Sequence, residues 1–103
     1  MEELTMAMME ISVVPIGTDS PALSEHITRA VRAAKESGLK YELNPMGTVI
    51  EGDLDDLFRV ARLMHEATFS DKVRRVVTTI KIDDRRDRHM TAEQKIKAVM
   101  EKL

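Results

Sequence analysis

Glu10, Ser12, Glu51, Thr79 and Lys81 are the side chains of this sequence with most to offer chemically: two carboxylates, two hydroxyls and an amine. They stand out because other chemistries lack their parts. With no cysteine the chain has no thiolate nucleophile, disulfide or thiolate-ligated metal. His26, His65 and His89 fall in separate segments without HxxxH spacing, and there is no glycine-rich phosphate loop or nucleophile elbow. His65 beside Glu66 could act as a base, but an isolated helical histidine more often serves the structure or faces solvent. No catalytic residue, metal site or cofactor is therefore expected. Carboxylates gathered in dry surroundings need partners. For Glu10 and Glu51 these are either Lys81, as a salt bridge between subunits, or a bound ligand.

Whether the five residues meet depends on the elements that carry them. Leu4 to Ile16, LTMAMMEISVVPI, is apolar on both alternating sets, which predicts a strand covered on both faces and ended by Pro15 and Gly17. Ser20 is placed to cap a helix starting at Pro21. Leu23, Ile27, Ala30, Val31 and Ala34 follow at helical spacing, and Gly38 with Leu39 has the form of a left-handed C-terminal cap. Leu39 to Glu51 reads as two extended runs around Asn44, Pro45, Met46 and Gly47, a hairpin that Gly52 ends. Asp53 caps a second helix, with Asp55 and Asp56 in its first turn and Leu57, Val60, Ala61 and Met64 on one face, running to about Phe69.

Lys72 to Asp83 is β-branched, with Val76, Thr78, Ile80 and Ile82 on one side and Arg75, Val77, Thr79 and Lys81 on the other. The charged stretch from Asp83 to Arg88 is expected to be ordered by salt bridges within its own or a neighbouring subunit. Thr91 and Gln94 hold capping-box positions before a last helix with Ile96, Val99, Met100 and Leu103 on one stripe.

The order βαββαβ plus a C-terminal helix predicts one α+β domain over residues 1–103. It is the split βαβ pattern of the ferredoxin-like fold, a four-stranded antiparallel sheet with two helices on one face. The open face should then display Met6, Met8, Glu10, Ser12 and Val14 beside Val77, Thr79 and Lys81. Glu51 joins them, since the alternative buries a carboxylate under the helices. Such a surface is too apolar for water. The third helix could cover it, but a second subunit is the commoner solution, giving a dimer or tetramer built face to face.

The formal charge of −2 and an aromatic content of 3% provide neither the basic excess nor the stacking rings of a nucleic-acid binder. No stretch reads as a membrane span or a leader, so a cytoplasmic location is the default.

EISVVPIGT (Glu10 to Thr18), YELNPMGTVIEGD (Tyr41 to Asp53) and VVTTIKIDDRRD (Val76 to Asp87) closely resemble the thiamine-binding-protein-like family. That family was long carried as a domain of unknown function and is related to the bacterial tandem-repeat protein YkoF. The resemblance covers nearly the whole chain. It implies a ferredoxin-like subunit that assembles through its sheets into dimers and tetramers, with thiamine or its hydroxymethylpyrimidine moiety bound in relatives. A cationic thiazolium and an aminopyrimidine would suit an acidic group and a hydroxyl in an apolar cleft. The candidate ligand-binding set is thus Glu10, Ser12, Glu51, Thr79 and Lys81, joined by Met46, Gly47 and Thr48 from the hairpin. The expected function is non-enzymatic small-molecule binding at the subunit interface, and the alternative is a regulatory or structural homo-oligomer without a ligand.

Overall fold

The computed structural model describes residues 6–103, so Leu4 and Thr5 of the expected first strand lie outside the described residues. The elements are β1 (Met6–Ile16), α1 (Ser24–Glu36), β2 (Lys40–Asn44), β3 (Gly47–Asp53), α2 (Leu54–Thr68), β4 (Arg75–Asp83) and α3 (Ala92–Met100). The four strands form one antiparallel sheet in the order β2-β3-β1-β4, with β1 and β3 central, which is the ferredoxin-like arrangement.

Alternation along β1 sets the layers. Ala7, Met9, Ile11 and Val13 are buried, and they pack with Ile50 of β3, Ala30 and Ala34 of α1, and Leu57, Val60, Ala61 and Met64 of α2. Each large side chain removed from water here contributes about 1.5–3 kcal/mol. The alanines of α1 add little area but let that helix lie close to the sheet. Two helices do not span four strands, so Ile80 of β4 stays 41% exposed although it belongs to the helix-facing set.

The helix ends show where local chemistry prevails. Asp53 caps α2 through a 2.8 Å bond from the Asp56 amide, and Thr91 and Gln94 form the capping box of α3. Gly38 takes φ +80° just past α1, the left-handed conformation in which a side chain would be strained. At the other end of α1 the expectation fails. The helix starts at Ser24 rather than Pro21, and Leu23 is its N-cap without a side-chain bond. Ser20 spends its hydroxyl accepting from the Ala22 amide at 3.1 Å, and its carbonyl accepts from the Thr18 hydroxyl at 2.7 Å, so Ser20 belongs to a turn of its own. Gly52 also differs from expectation: it lies within β3, where an added Cβ would come within 3.2 Å of the Leu39 side chain.

Arg29 joins the two helices. Its guanidinium donates to the carbonyls of Ala67 at 3.0 Å and Thr68 at 2.9 Å, at the C-terminal end of α2, and to His26 Nδ1 at 3.1 Å. These bonds satisfy acceptors that α2 cannot satisfy itself.

No residue of α3 is buried. Ile96, Val99, Met100 and Leu103, at helical spacing, are all more than half exposed. The radius of gyration is 15.1 Å, against about 13 Å for a compact domain of this length, as expected when one helix stands off the body.

Candidate functional site

The face of the sheet opposite α1 and α2 is built by register. Along β1 and β4, Met8 lies across from Asp83, Glu10 from Lys81, Ser12 from Thr79 and Val14 from Val77. On the β3 side Met8 faces Glu51 and Glu10 faces Val49. Residues directly opposite in an antiparallel pair share a face, so Glu10, Ser12, Glu51, Thr79 and Lys81 do converge on the open side.

Their environments differ. Glu51 is buried and committed: Oε1 accepts from the Ala92 amide at 3.1 Å, at the first residue of α3, and Oε2 lies 3.5 Å from Lys40 Nζ. Lys40 also pairs with Glu93 at 3.4 Å. Glu51 first, and then Glu93, hold the Lys40 amine above the usual lysine value. The carboxylate thus anchors the start of α3 over the β2–β3 end of the face. Between them, Lys40, Val49, Glu51, Ala92 and Ile96 line a hollow of about 380 Å³.

Glu10 is exposed on a central strand, and among the described residues no ion pair joins it to Lys81 or any other cation. Its Cγ lies 3.6 Å from where a Gly47 Cβ would stand, and that same Cβ would come within 3.0 Å of the Ile11 carbonyl oxygen. Glycine at 47 therefore lets the hairpin lie against β1, with the stem of Glu10 beside it. Ser12, Met46, Gly47 and Thr48 border a cavity of about 340 Å³ at this end of the sheet that opens on the helix side, against Leu23, Ile27 and Val31, and Glu10 is not among its lining residues. Within that group Thr48 is buried and faces the helices, paired with Ile11, while Met46 is 85% exposed at the turn. The candidate set is thus arranged as a Glu10–Ser12–Gly47–Met46 corner, Thr79 and Lys81 across from it on β4, Glu51 under α3, and Thr48 on the other side of the sheet.

A third hollow of about 460 Å³ lies at the far end of the face, where Met6, Met8 and Met90 meet the charged run. That run is ordered within its own chain. Arg85 grips Asp87 with two guanidinium nitrogens, Arg86 grips Asp84, and Lys95 reaches Asp83 at 2.7 Å. The Arg85 hydrogen bonds hold the Asp87 carboxyl down at about 2, and Arg86 lowers Asp84 in the same way.

Residue reading overlooked Lys40 and the Ala92 amide as partners of Glu51. The hairpin offered a signal for the first: counting back from a two-residue turn at Pro45 and Met46 pairs Lys40 with Glu51. Of the histidines, His65 Nδ1 sits 2.6 Å from the Thr78 hydroxyl with its ring edge-on to Phe69, and His26 accepts from Arg29. Among the described residues no group of three or more histidine, aspartate or glutamate side chains could hold a metal ion. No helix among them is long and apolar enough to cross a membrane.

The family model described as thiamine-binding protein matches residues 9–100, which takes in β1 from Met9 onward, the other three strands, both core helices and α3. The chain belongs to the thiamine-binding protein family. The UPF0045 protein YqgV of Bacillus subtilis is 42% identical over 102 residues, 95% of this chain and 98% of that one. The crystal structure of hypothetical protein MJ1052 from Methanocaldococcus jannaschii superposes with a TM-score of 0.86 at 37% identity, covering 94% of this chain and 98% of that one. A Thermotoga maritima protein assigned provisionally to thiamine biosynthesis or salvage gives 0.78 at 26% identity, over 91% and 98% of the two chains. The match to the thiamine-binding protein family thus extends from within β1 to the last residue of α3.

Proposed function

We propose that this protein is a non-enzymatic binder of thiamine or its hydroxymethylpyrimidine moiety, held at the open sheet face where a second subunit closes over it. The observation that carries this reading is Glu10: an exposed carboxylate without an ion pair among the described residues, on a central strand, flanked by Met8, Ser12 and Val49 with Lys81 across from it. A cationic heterocycle satisfies such a group better than water does once the face is covered. Ser12 and Thr79 add orienting hydroxyls, Lys81 borders the site, and Met8 and Val14 give it apolar walls. The family model and the provisional assignment of the Thermotoga maritima protein support the choice of ligand. Closure by another copy rests on two unpartnered apolar surfaces, the open face and the α3 stripe. Association would cover both, as a dimer or tetramer.

Calorimetry tests the reading. Wild-type protein should bind thiamine or hydroxymethylpyrimidine. Glu10→Gln keeps the shape, removes the charge and should weaken binding about tenfold or more, since a charge-assisted hydrogen bond contributes about 1.5–3 kcal/mol against about 1 for a neutral one. If neither compound binds at millimolar concentration, a structural homo-oligomer takes the place of this reading. The full commitment of Glu51 to Lys40 and α3 is the feature that favours that second reading. If they bind and Glu10→Gln is silent, the ligand sits elsewhere.

A further inference from the structure

On the helix side of the sheet, at the β2 edge, lies a groove that the open-face reading does not use. Its floor is Ile27 and Val31 of α1 with Tyr41 and Leu43 of β2, and Arg32 and Lys35 stand on its wall, around a volume of about 430 Å³. The groove follows from the packing of α1. Ala30 and Ala34 seat that helix against the core beside α2, and although α1 also touches β1 and β2, the outer end of β2 extends past it, so Leu43 is 58% exposed on the side that α1 should cover.

The opposite edge has the same overhang and a different outcome. There Ile80 is exposed at β4, but His65 bonds to Thr78 and meets Phe69 edge-on beside the strand. At β2 nothing of this kind fills the space. Neither Arg32 nor Lys35 has an ion-pair partner among the described residues, although both lie within a turn of Glu36. The carboxylates of β2's neighbourhood, Glu42 and Glu51, belong to the other face of the sheet, as the register of β2 with β3 requires. An apolar trough with two unpaired cations on one wall has the complement of an apolar body carrying one negative group.

We infer that the α1–β2 groove is a second binding site, for a small amphipathic anion: a carboxylate on an aliphatic or aromatic body. The body lies along Ile27, Val31 and Leu43 with Tyr41 at its side, and the carboxylate reaches Arg32 and Lys35. Ile27 to Lys35 spans about 12 Å of helix, which accommodates an extended eight-carbon chain. This site and the Glu10 corner lie on opposite faces of the sheet and select opposite charge.

Octanoate, octylamine and octanol are the probes, titrated into isotope-labelled protein and followed by amide shifts. Octanoate should shift α1 and Tyr41 to Leu43, with half-saturation at least tenfold lower than octylamine. The double variant Arg32→Gln/Lys35→Gln should remove that preference, and Leu43→Ser should weaken all three probes. All three positions are exposed, so the variants keep the wild-type amide spectrum elsewhere. Glu10→Gln should leave octanoate binding unchanged, which separates this site from the open face. Equal binding of octanoate and octylamine, or shifts centred on β4 and the open face, overturns the proposal. So does a groove already occupied by a second copy, seen as concentration-dependent shifts at these residues with doubled mass in light scattering.

Discussion

Met9 and Met8 are neighbours on β1 and sit in opposite worlds. Met9 is wholly buried against α1 and α2, whereas Met8 looks out between Glu51 and Asp83. The pattern repeats along the strand: Ile11 and Val13 are buried, while Val14 and Ile16 are about two-fifths exposed. Both faces carry methionine and valine, so apolar content alone does not tell the core from the open face, which adds Glu10 and Ser12. What differs is the partner. The inner face has two helices with complementary apolar sides, and the outer face has only the first turn of α3, held by Glu51.

That contrast predicts a graded response to substitution. The largest effect belongs to the inner face: Leu57→Ala should lower stability by about 2–5 kcal/mol in urea titrations, because the cavity cannot collapse between helix and sheet. Val77→Ala on the outer face should cost well under half as much in the separated subunit; equal losses would mean that both faces are cores. Next comes Met8→Glu, which should abolish the proposed face-to-face association in light scattering, since association would desolvate a carboxylate without a partner. Unchanged mass would show that the outer face is not the contact.

A smaller effect, about 1 kcal/mol, is expected for Glu51→Gln. It should appear as faster hydrogen exchange in α3 with the β1–β4 amides unaffected; uniform exchange changes would make α3 part of the core. The smallest effect concerns the charged run. Arg85→Ala should leave the melting temperature almost unchanged, since breaking an exposed pair costs little. Asp87 titrates at about 2 in the folded chain, below the ordinary aspartate value of about 3.9, so its contribution is complete above that ordinary value. It is lost as acid passes down through the folded value. A large drop in melting temperature on Arg85→Ala at neutral pH would point to a role beyond this pair.

The sequence made the sheet faces readable because period-two alternation in β1 and β4 coincides with their register, and a buried glutamate has only one reasonable side to face. The caps at Asp53 and Thr91 were readable for the same local reason. Ser20 misled because a hydroxyl before proline can serve a turn as well as a helix, and the choice lies in the backbone beyond it. The site is legible only in outline. Alternation places Glu10, Ser12 and Thr79 on one face, but whether a carboxylate is already satisfied depends on α3, which returns to Glu51 from 41 residues away. Thr48 shows the cost of reading a contiguous segment as a site: neighbours in a strand face opposite ways.

The Arg29 clamp bears on the order of folding. Its carbonyl partners lie 38 and 39 residues further along the chain, in the second βαβ half. A bond closing so long a loop gains nothing until the sheet has already brought α1 and α2 together, because the chain entropy must be surrendered first. Arg29 therefore acts late, as a latch on the finished molecule. It leaves the rate of refolding largely to the central strands and governs instead how slowly the two interleaved halves come apart.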